Sequence, residues 1–310
     1  LQSVGITTNF NLEQVFELGQ ISIYENIEGV PDVEVTLERV LDGSANLAYK
    51  LATQAAAANT LVARSKERCK IGLGIYDDAI DNVAAQGNAP FEVTMEGLYV
   101  SNVSYTFNTD GNFTESISFV GNSKKYKVGS DLVTAANVAE LNGTDTPDNL
   151  LLGGVQRREN LNWAGSILPL DLPNIGNAGF GNNLLNGKPI EHVNSITIST
   201  DFGRDDIFEL GRKAPYYRAP NFPIEVTCDI EVTATNADGI QAFEEGDPAF
   251  DGTVNAGNNT RENKIVFATE DGNVFDLGIK NRLSSVTYGG GDTSGGQATI
   301  TYSFTNFNDL

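Results

Sequence analysis

One histidine, His192, limits the acid–base chemistry open to this chain. A Ser–His–Asp set could be built only around that residue, and no cysteine lies near it in sequence to serve as nucleophile. A lone histidine is far more often a surface residue than a catalyst. The two cysteines, Cys69 and Cys228, stand far apart and form no Cys-x-x-Cys, so neither a zinc site nor a redox pair is indicated. They read as two small buried side chains. The 41 carboxylates leave room for a glycosidase pair. Sugar sites usually add stacking aromatics, however, and the chain has a single tryptophan, Trp163. Asn108-Thr-Asp110-Gly-Asn112 offers several side-chain oxygens in a short run, but its glycine stands fourth where a calcium loop needs it sixth. A hairpin turn explains that run better. No Walker loop is present and no GxGxxG opens a helix. No catalytic, cofactor-binding or metal-binding residue is therefore assigned, and the chain reads as something other than an enzyme.

The elements that position the remaining residues follow from composition and period. With 310 residues and 40% apolar residues the chain can bury a real core. Its formal net charge of −21 argues against holding nucleic acid through phosphates, which takes Lys and Arg. It leaves open surrounding DNA without gripping it. Leu1 to Phe10 lacks a basic start and an apolar run, so no secretory leader is expected there. No segment approaches the apolar length of a membrane-spanning helix.

The most informative feature is an internal repeat. Asn9-Phe10 followed by Val15-Phe-Glu-Leu-Gly19 recurs as Asp201-Phe202 followed by Ile207-Phe-Glu-Leu-Gly211, at identical spacing. Tyr24 matches Tyr216, and Val33-Glu-Val-Thr36 matches Ile224-Glu-Val-Thr227. Lys70-Ile71, Val103-Ser-Tyr105 and Ile117-Ser-Phe119 then answer to Lys264-Ile265, Val286-Thr-Tyr288 and Tyr302-Ser-Phe304, in the same order. Two long copies indicate paired domains, whereas a solenoid needs three or more short units. The expected organisation is a first domain over 1–122, a connector over 123–193 and a second domain over 194–310. The connector is rich in Asn, Gly, Leu and Asp and carries a short helix near Asp131–Leu141.

Within each copy the apolar period is two. Val33, Val35 and Leu37 alternate with Glu34, Thr36 and Glu38; Ile224, Val226, Cys228, Ile230 and Val232 alternate with Glu225, Thr227, Asp229, Glu231 and Thr233. Such alternation marks strands with one buried and one wet face. Val103–Phe107, the Asp110-Gly111 turn and Ile117–Phe119 read as a hairpin. The second copy repeats that hairpin through the glycine-rich run 289–296. A helix is expected from Ser44 to about Ala63, capped by Asp42 or Ser44 and burying Leu47, Leu51, Ala55 and Ala58. A shorter one is expected over Gly239–Glu245. The fold class is mainly β (α+β): two tandem related β-sandwich or barrel domains, each with one flanking helix.

The run from Gly97 through Tyr105, Asn112 and Phe119 to Asn122 resembles the closing hairpin of bacteriophage tail tube proteins. Phe16-Glu-Leu-Gly19, Tyr24 and the Val33–Leu37 strand resemble their opening strands. The resemblance covers both copies and not the connector, and it brings no catalytic residues. It implies a structural virion protein, located in the tail and assembled in the host cytoplasm. Such a protein polymerises into stacked rings that conduct DNA during ejection. It implies as partners other copies of the chain, tape-measure and tail-terminator proteins and, in a contractile tail, a sheath, with no membrane partner. The family's usual ring has six single-domain subunits. A duplicated chain implies a trimer with pseudo-sixfold symmetry.

Geometry agrees with that count. Four strands from each of six domains, about 4.8 Å apart, make a wall roughly 115 Å around and about 37 Å across. A duplex roughly 20 Å wide passes through it. If the polar strand faces line that channel, Glu34, Glu38, Glu225, Asp229 and Glu231 face the lumen and repel DNA, which becomes repelled cargo. The segments 25–31 and 216–223 and part of the connector are expected to contact neighbouring chains, with Tyr24, Tyr216, Tyr217 and Phe222 as contact residues. Two other readings stay open: a tube-initiating or tail-completion component, and a carbohydrate-binding or hydrolytic β-protein.

Overall fold

The computed structural model describes residues 2–16, 18–19, 23–42, 47–53, 61–76, 89–128, 154–163, 165–169, 192–234, 263–290, 296–308 and 310, with 23–25 as backbone only. Among these residues the chain is mainly β. The strands of the first half are β1 (Ser3–Asn9), β2 (Leu12–Phe16), β3 (Ile23–Glu28), β4 (Asp32–Val40), β5 (Cys69–Ile75), β6 (Phe91–Asn108), β7 (Thr114–Gly121) and β8 (Ser123–Val128). Two short helices, α1 (Ala48–Ala52) and α2 (Leu61–Arg64), lie between β4 and β5. The second half contributes β9 (Val193–Asp201), β10 (Asp205–Ile207), β11 (Tyr217–Ala219), β12 (Glu225–Thr233), β13 (Val266–Ala268), β14 (Val274–Asp276), β15 (Arg282–Gly289) and β16 (Thr299–Phe307).

Eight of these strands form one antiparallel sheet in the order β1-β4-β7-β6-β9-β12-β16-β15. The first four are one copy of the repeat and the last four are the other, and both copies lay their strands down in the same internal order. The copies meet where β6 pairs with β9, Asn102–Asn108 against Ser195–Asp201. The two tandem copies expected from the repeat share one sheet and one apolar core. The residues 123–128, expected to open the connector, form β8 and pair with Phe91–Glu96 of β6. Further along, Val155 and Arg157 bridge to Asp42 and Asn112 of the first copy, while Leu161 and Ile167 bridge to Thr269 and Val266 of the second. The described part of the connector therefore straps the two copies together.

Register tests the duplication more strictly than sequence does. Ile6 lies opposite Val35, and Ile198 opposite Cys228. Val35 lies opposite Phe119, and Cys228 opposite Phe304. Val103 lies opposite Ile117, and Val286 opposite Tyr302. Ile71 lies opposite Met95, while Ile265 donates its N–H to the Gly278 carbonyl. Four of the five sequence matches thus hold in three dimensions. The fifth is displaced: the structural counterpart of Val33 is Val226 and not Ile224. A slip of two residues leaves every side chain on its original face, so alternation alone does not reveal it.

The burial pattern follows the two-residue period. Along β12, Val226, Cys228, Ile230 and Val232 are buried and the residues between them are not. The buried face packs against α1, α2, the β13–β14 hairpin and the N-terminal half of β6. β6 serves two sheets. Phe91–Glu96 pairs with β5 and β8, and Tyr99–Asn108 with β7 and β9. The change falls at Gly97, whose φ of 68° lies in the left-handed region. A Cβ there would meet no atom within 4 Å, so backbone conformation and not space calls for glycine.

The helical region departs from expectation. α1 begins at Ala48, and its N-cap, Leu47, offers no side-chain bond. Asp42 is engaged elsewhere, bridging to Val155 and pairing with Arg39 at 3.4 Å; Ser44 lies outside the described residues. The free amides at the helix start are met instead by Glu115 of β7, which accepts from Ala48 N at 2.9 Å and Tyr49 N at 3.2 Å. A carboxylate from a neighbouring strand so replaces the local cap. Leu47 is buried and Leu51 half-buried, while Ala55 and Ala58, like the helices expected at 131–141 and 239–245, lie outside the described residues.

Candidate functional site: a polar sheet face and two duplicated hairpins

The face of the large sheet turned away from the core is built mainly of hydroxyl and carboxyl side chains. One cross-strand row runs Ser3, Glu38, Ser116, Ser104, Ser199, Thr227, Thr305. The next runs Val40, Thr114, Thr106, Thr197, Asp229, Ser303, Ser285. Short Ser and Thr chains fill these rows because they tolerate the pleat and bond to one another. Ser199 Oγ and Thr227 Oγ1 are 2.7 Å apart, Thr36 Oγ1 and Ser118 Oγ 3.3 Å, and Ser3 Oγ donates to Glu38 Oε2 at 3.1 Å.

The five carboxylates singled out from sequence all stand on this face: Glu34 and Glu38 on β4, and Glu225, Asp229 and Glu231 on the equivalent strand β12. Asp201 joins them at the end of β9, and Asp32 at the start of β4, where it pairs with Arg218. Glu38 lies between Ser3 and Ser116, Asp229 between Thr197 and Ser303, and Glu231 between Ser195 and Thr301. Among the described residues of these eight strands, the cation in register with the face is Arg282, opposite Thr305 at the β15 edge. Such a surface repels polyanions and offers no cluster of cations to hold one.

The most deeply buried carboxylate among the described residues, Glu115, faces the other way. Glu115 accepts Tyr105 Oη at 3.0 Å in addition to the two helix amides, and Arg39 Nε lies 3.8 Å away. Burial pushes its pKa up, while these donors pull it down. Its oxygens are occupied by structural donors, which suits a cap and not a proton carrier. Cys228 is fully buried and its thiol is pushed far up by desolvation; Cys69 is half-buried and raised to about 12. Neither is a ready nucleophile. The run Asn108–Asn112 forms a hairpin turn with Gly111 at φ 100°. Arg157 Nε donates to Asn112 Oδ1 at 3.0 Å, placing a cation where a metal would need an oxygen. Among the described residues, no group of three or more His, Cys, Asp or Glu side chains is arranged to hold a metal ion, and no helix is long and apolar enough to cross a membrane.

Two hairpins, β2–β3 and β10–β11, occupy equivalent places in the two copies. Leu18 and Leu210 are fully exposed near their turns, each followed by a glycine at φ 89° (Gly19, Gly211). Phe16 and Phe208 beside them are exposed as well. The repeated Phe-Glu-Leu-Gly motif thus marks a matched pair of apolar tips. Of the expected contact residues, Tyr216 and Phe222 are exposed, and the Tyr24 side chain lies outside the described residues. Tyr217 is engaged within the chain: its ring meets Tyr99 edge-on at 5.8 Å. Arg68 and Arg204 lie over that same Tyr99 ring, at 5.3 and 5.1 Å. Arg218 pairs with Asp32 at 2.9 Å and Asp206 at 3.1 Å. This arginine cluster fixes the β10–β11 hairpin to the first copy, and no spacing pattern in the sequence announces it.

No protein-family model matches this chain, and no curated protein matches it.

Proposed function

We propose that this chain is the tube-forming subunit of a bacteriophage tail, a structural virion protein whose rings stack into the conduit for DNA ejection. The observation that carries this reading is the duplicated sheet with its uncharged-to-anionic outer face. Eight strands from two copies run side by side, one face packs the core, and the other presents hydroxyls and seven carboxylates against one guanidinium in register with them. A channel wall for a polyanion needs that chemistry: wet enough to stay hydrated, negative enough not to bind phosphate. The paired apolar hairpin tips supply contacts from ring to ring. Three chains then give a ring of six copies, and tape-measure, terminator and sheath proteins are its expected partners.

The purified chain, viewed in negative stain, should form tubes with an axial channel and three chains per ring. Single rings that never stack would identify a tube-initiating component instead. Monomers persisting at high concentration would overturn the reading.

A further inference from the structure

The sheet ends at β1 on one side and β15 on the other, and among the described residues nothing pairs with the outer edge of either. β1 is the counterpart of β9, and β15 of the C-terminal half of β6, the two strands that pair inside the chain. We propose that β15 of one chain pairs antiparallel with β1 of the next in the register that joins β6 to β9. This deepens the tube reading and rests on it.

Burial of equivalent residues supports the proposal. At the internal junction Ile196, Phe202 and Tyr105 are 1%, 0% and 1% exposed. Their counterparts on and next to the outer strands β1 and β15, Val4, Phe10 and Tyr288, are 37%, 72% and 59% exposed. Ile6 and Val286 are also left half-covered where Ile198 and Val103 are buried. Each outer strand therefore presents the core-side residues that the other copy covers when the junction is made. Neither edge is strongly defended. β1 holds no charged residue and no proline, and β15 carries one charge, Arg282, at its start and one irregularity at 283–285.

The register follows from equivalence. Inside the chain Asn102 lies opposite Asp201, Ser104 opposite Ser199 and Tyr105 opposite Ile198. Phe202 N donates to Ser101 O and Thr109 N to Asn194 O, so the odd-numbered positions of β6 are the hydrogen-bonded pairs. Carried across chains, Ser285 lies opposite Asn9, Thr287 opposite Thr7 and Tyr288 opposite Ile6, with Phe10 beside Ser284. Thr7 and Thr287 form a non-hydrogen-bonded pair on the polar face, the close class of cross-strand pair that suits a disulfide.

The test is oxidative cross-linking of Thr7→Cys/Thr287→Cys in a Cys69→Ser background, with Thr7→Cys/Ser285→Cys as the pair shifted by two residues. The expected result is a ladder of covalent dimers and trimers from the first pair and none from the second or from single variants. Assembled rings that cross-link through the shifted pair, or through neither, overturn this junction and leave the tube reading standing. Chains that form no rings and no cross-links overturn both. Phe10→Ser gives a second reading without engineered thiols. The concentration at which half the chains assemble should rise about ten- to a hundredfold, from loss of one buried phenyl ring. An unchanged midpoint overturns the proposed junction.

Discussion

Replacing Glu115 by alanine removes the shared acceptor of three buried donors, the amides of Ala48 and Tyr49 and the hydroxyl of Tyr105. Each stranded donor costs about 1–3 kcal/mol, and the helix amides keep the option of recruiting water, so a total of about 4 kcal/mol is expected. At roughly 2 cal/mol/K of unfolding entropy per residue, a chain of this length shifts about 1.5 °C per kcal/mol, or about 6 °C in all. Glu115→Gln keeps one acceptor oxygen and should lose about half as much. The pH dependence has a definite sign. The folded pKa of Glu115 is raised by burial, so the folded chain holds this proton more tightly than the unfolded one. The stabilisation from that proton is complete below the ordinary glutamate pKa of about 4.5 and is lost as pH rises through the folded value. Scanning calorimetry of wild type and Glu115→Gln across this range should show their gap narrowing as pH rises. An alanine variant that melts within 1 °C or so of wild type would refute the claim that Glu115 organises the start of α1.

Exchanging Glu225, Asp229 and Glu231 for lysine turns a face of seven carboxylates and one guanidinium into one with four carboxylates and four cations; assembly should survive, because solvated positions cost little stability. DNA passage through such tubes should slow and recover with added salt, as phosphate contacts weaken steeply with ionic strength; ejection at wild-type speed in low salt would show that this face does not line the channel. Leu18→Asp with Leu210→Asp should leave the melting temperature within about 1 °C, since both side chains are fully exposed, yet stop growth at short stacks in electron micrographs.

Much of the sheet was legible because a two-residue period is a local signal. The strands at 32–40, 225–233 and 103–108, and the turn at Gly111, follow directly from alternation and from one glycine. Two properties of pairing were not. The two-residue displacement of β12 is silent, since Ile-Glu-Val-Thr presents the same faces in either register. The fusion of both copies into one sheet depends on which edge meets which, and β6 and β9 carry no mark that selects it. The helix cap escaped for a different reason: Glu115 is 67 residues from Ala48, far beyond any capping motif. The acidic face was found as residues but not as a surface. Glu34 and Asp229 share it because the pairing register carries both to one side of the sheet, with Ser or Thr at many of the positions between them.

The β6–β9 junction has a kinetic consequence. Strand pairs between separate molecules form by diffusion, at a rate set by concentration. The pair inside this chain forms during folding, at the effective concentration fixed by its tether. In a ring of six copies, half of the seams are then already closed when a chain is released from synthesis. The ring of six copies proposed above would need three molecules to meet in place of six, and the number of encounters before closure would fall from five to two. Nucleation of such a ring would be less sensitive to dilution, and a growing end would take up subunits that cannot arrive as half-sheets.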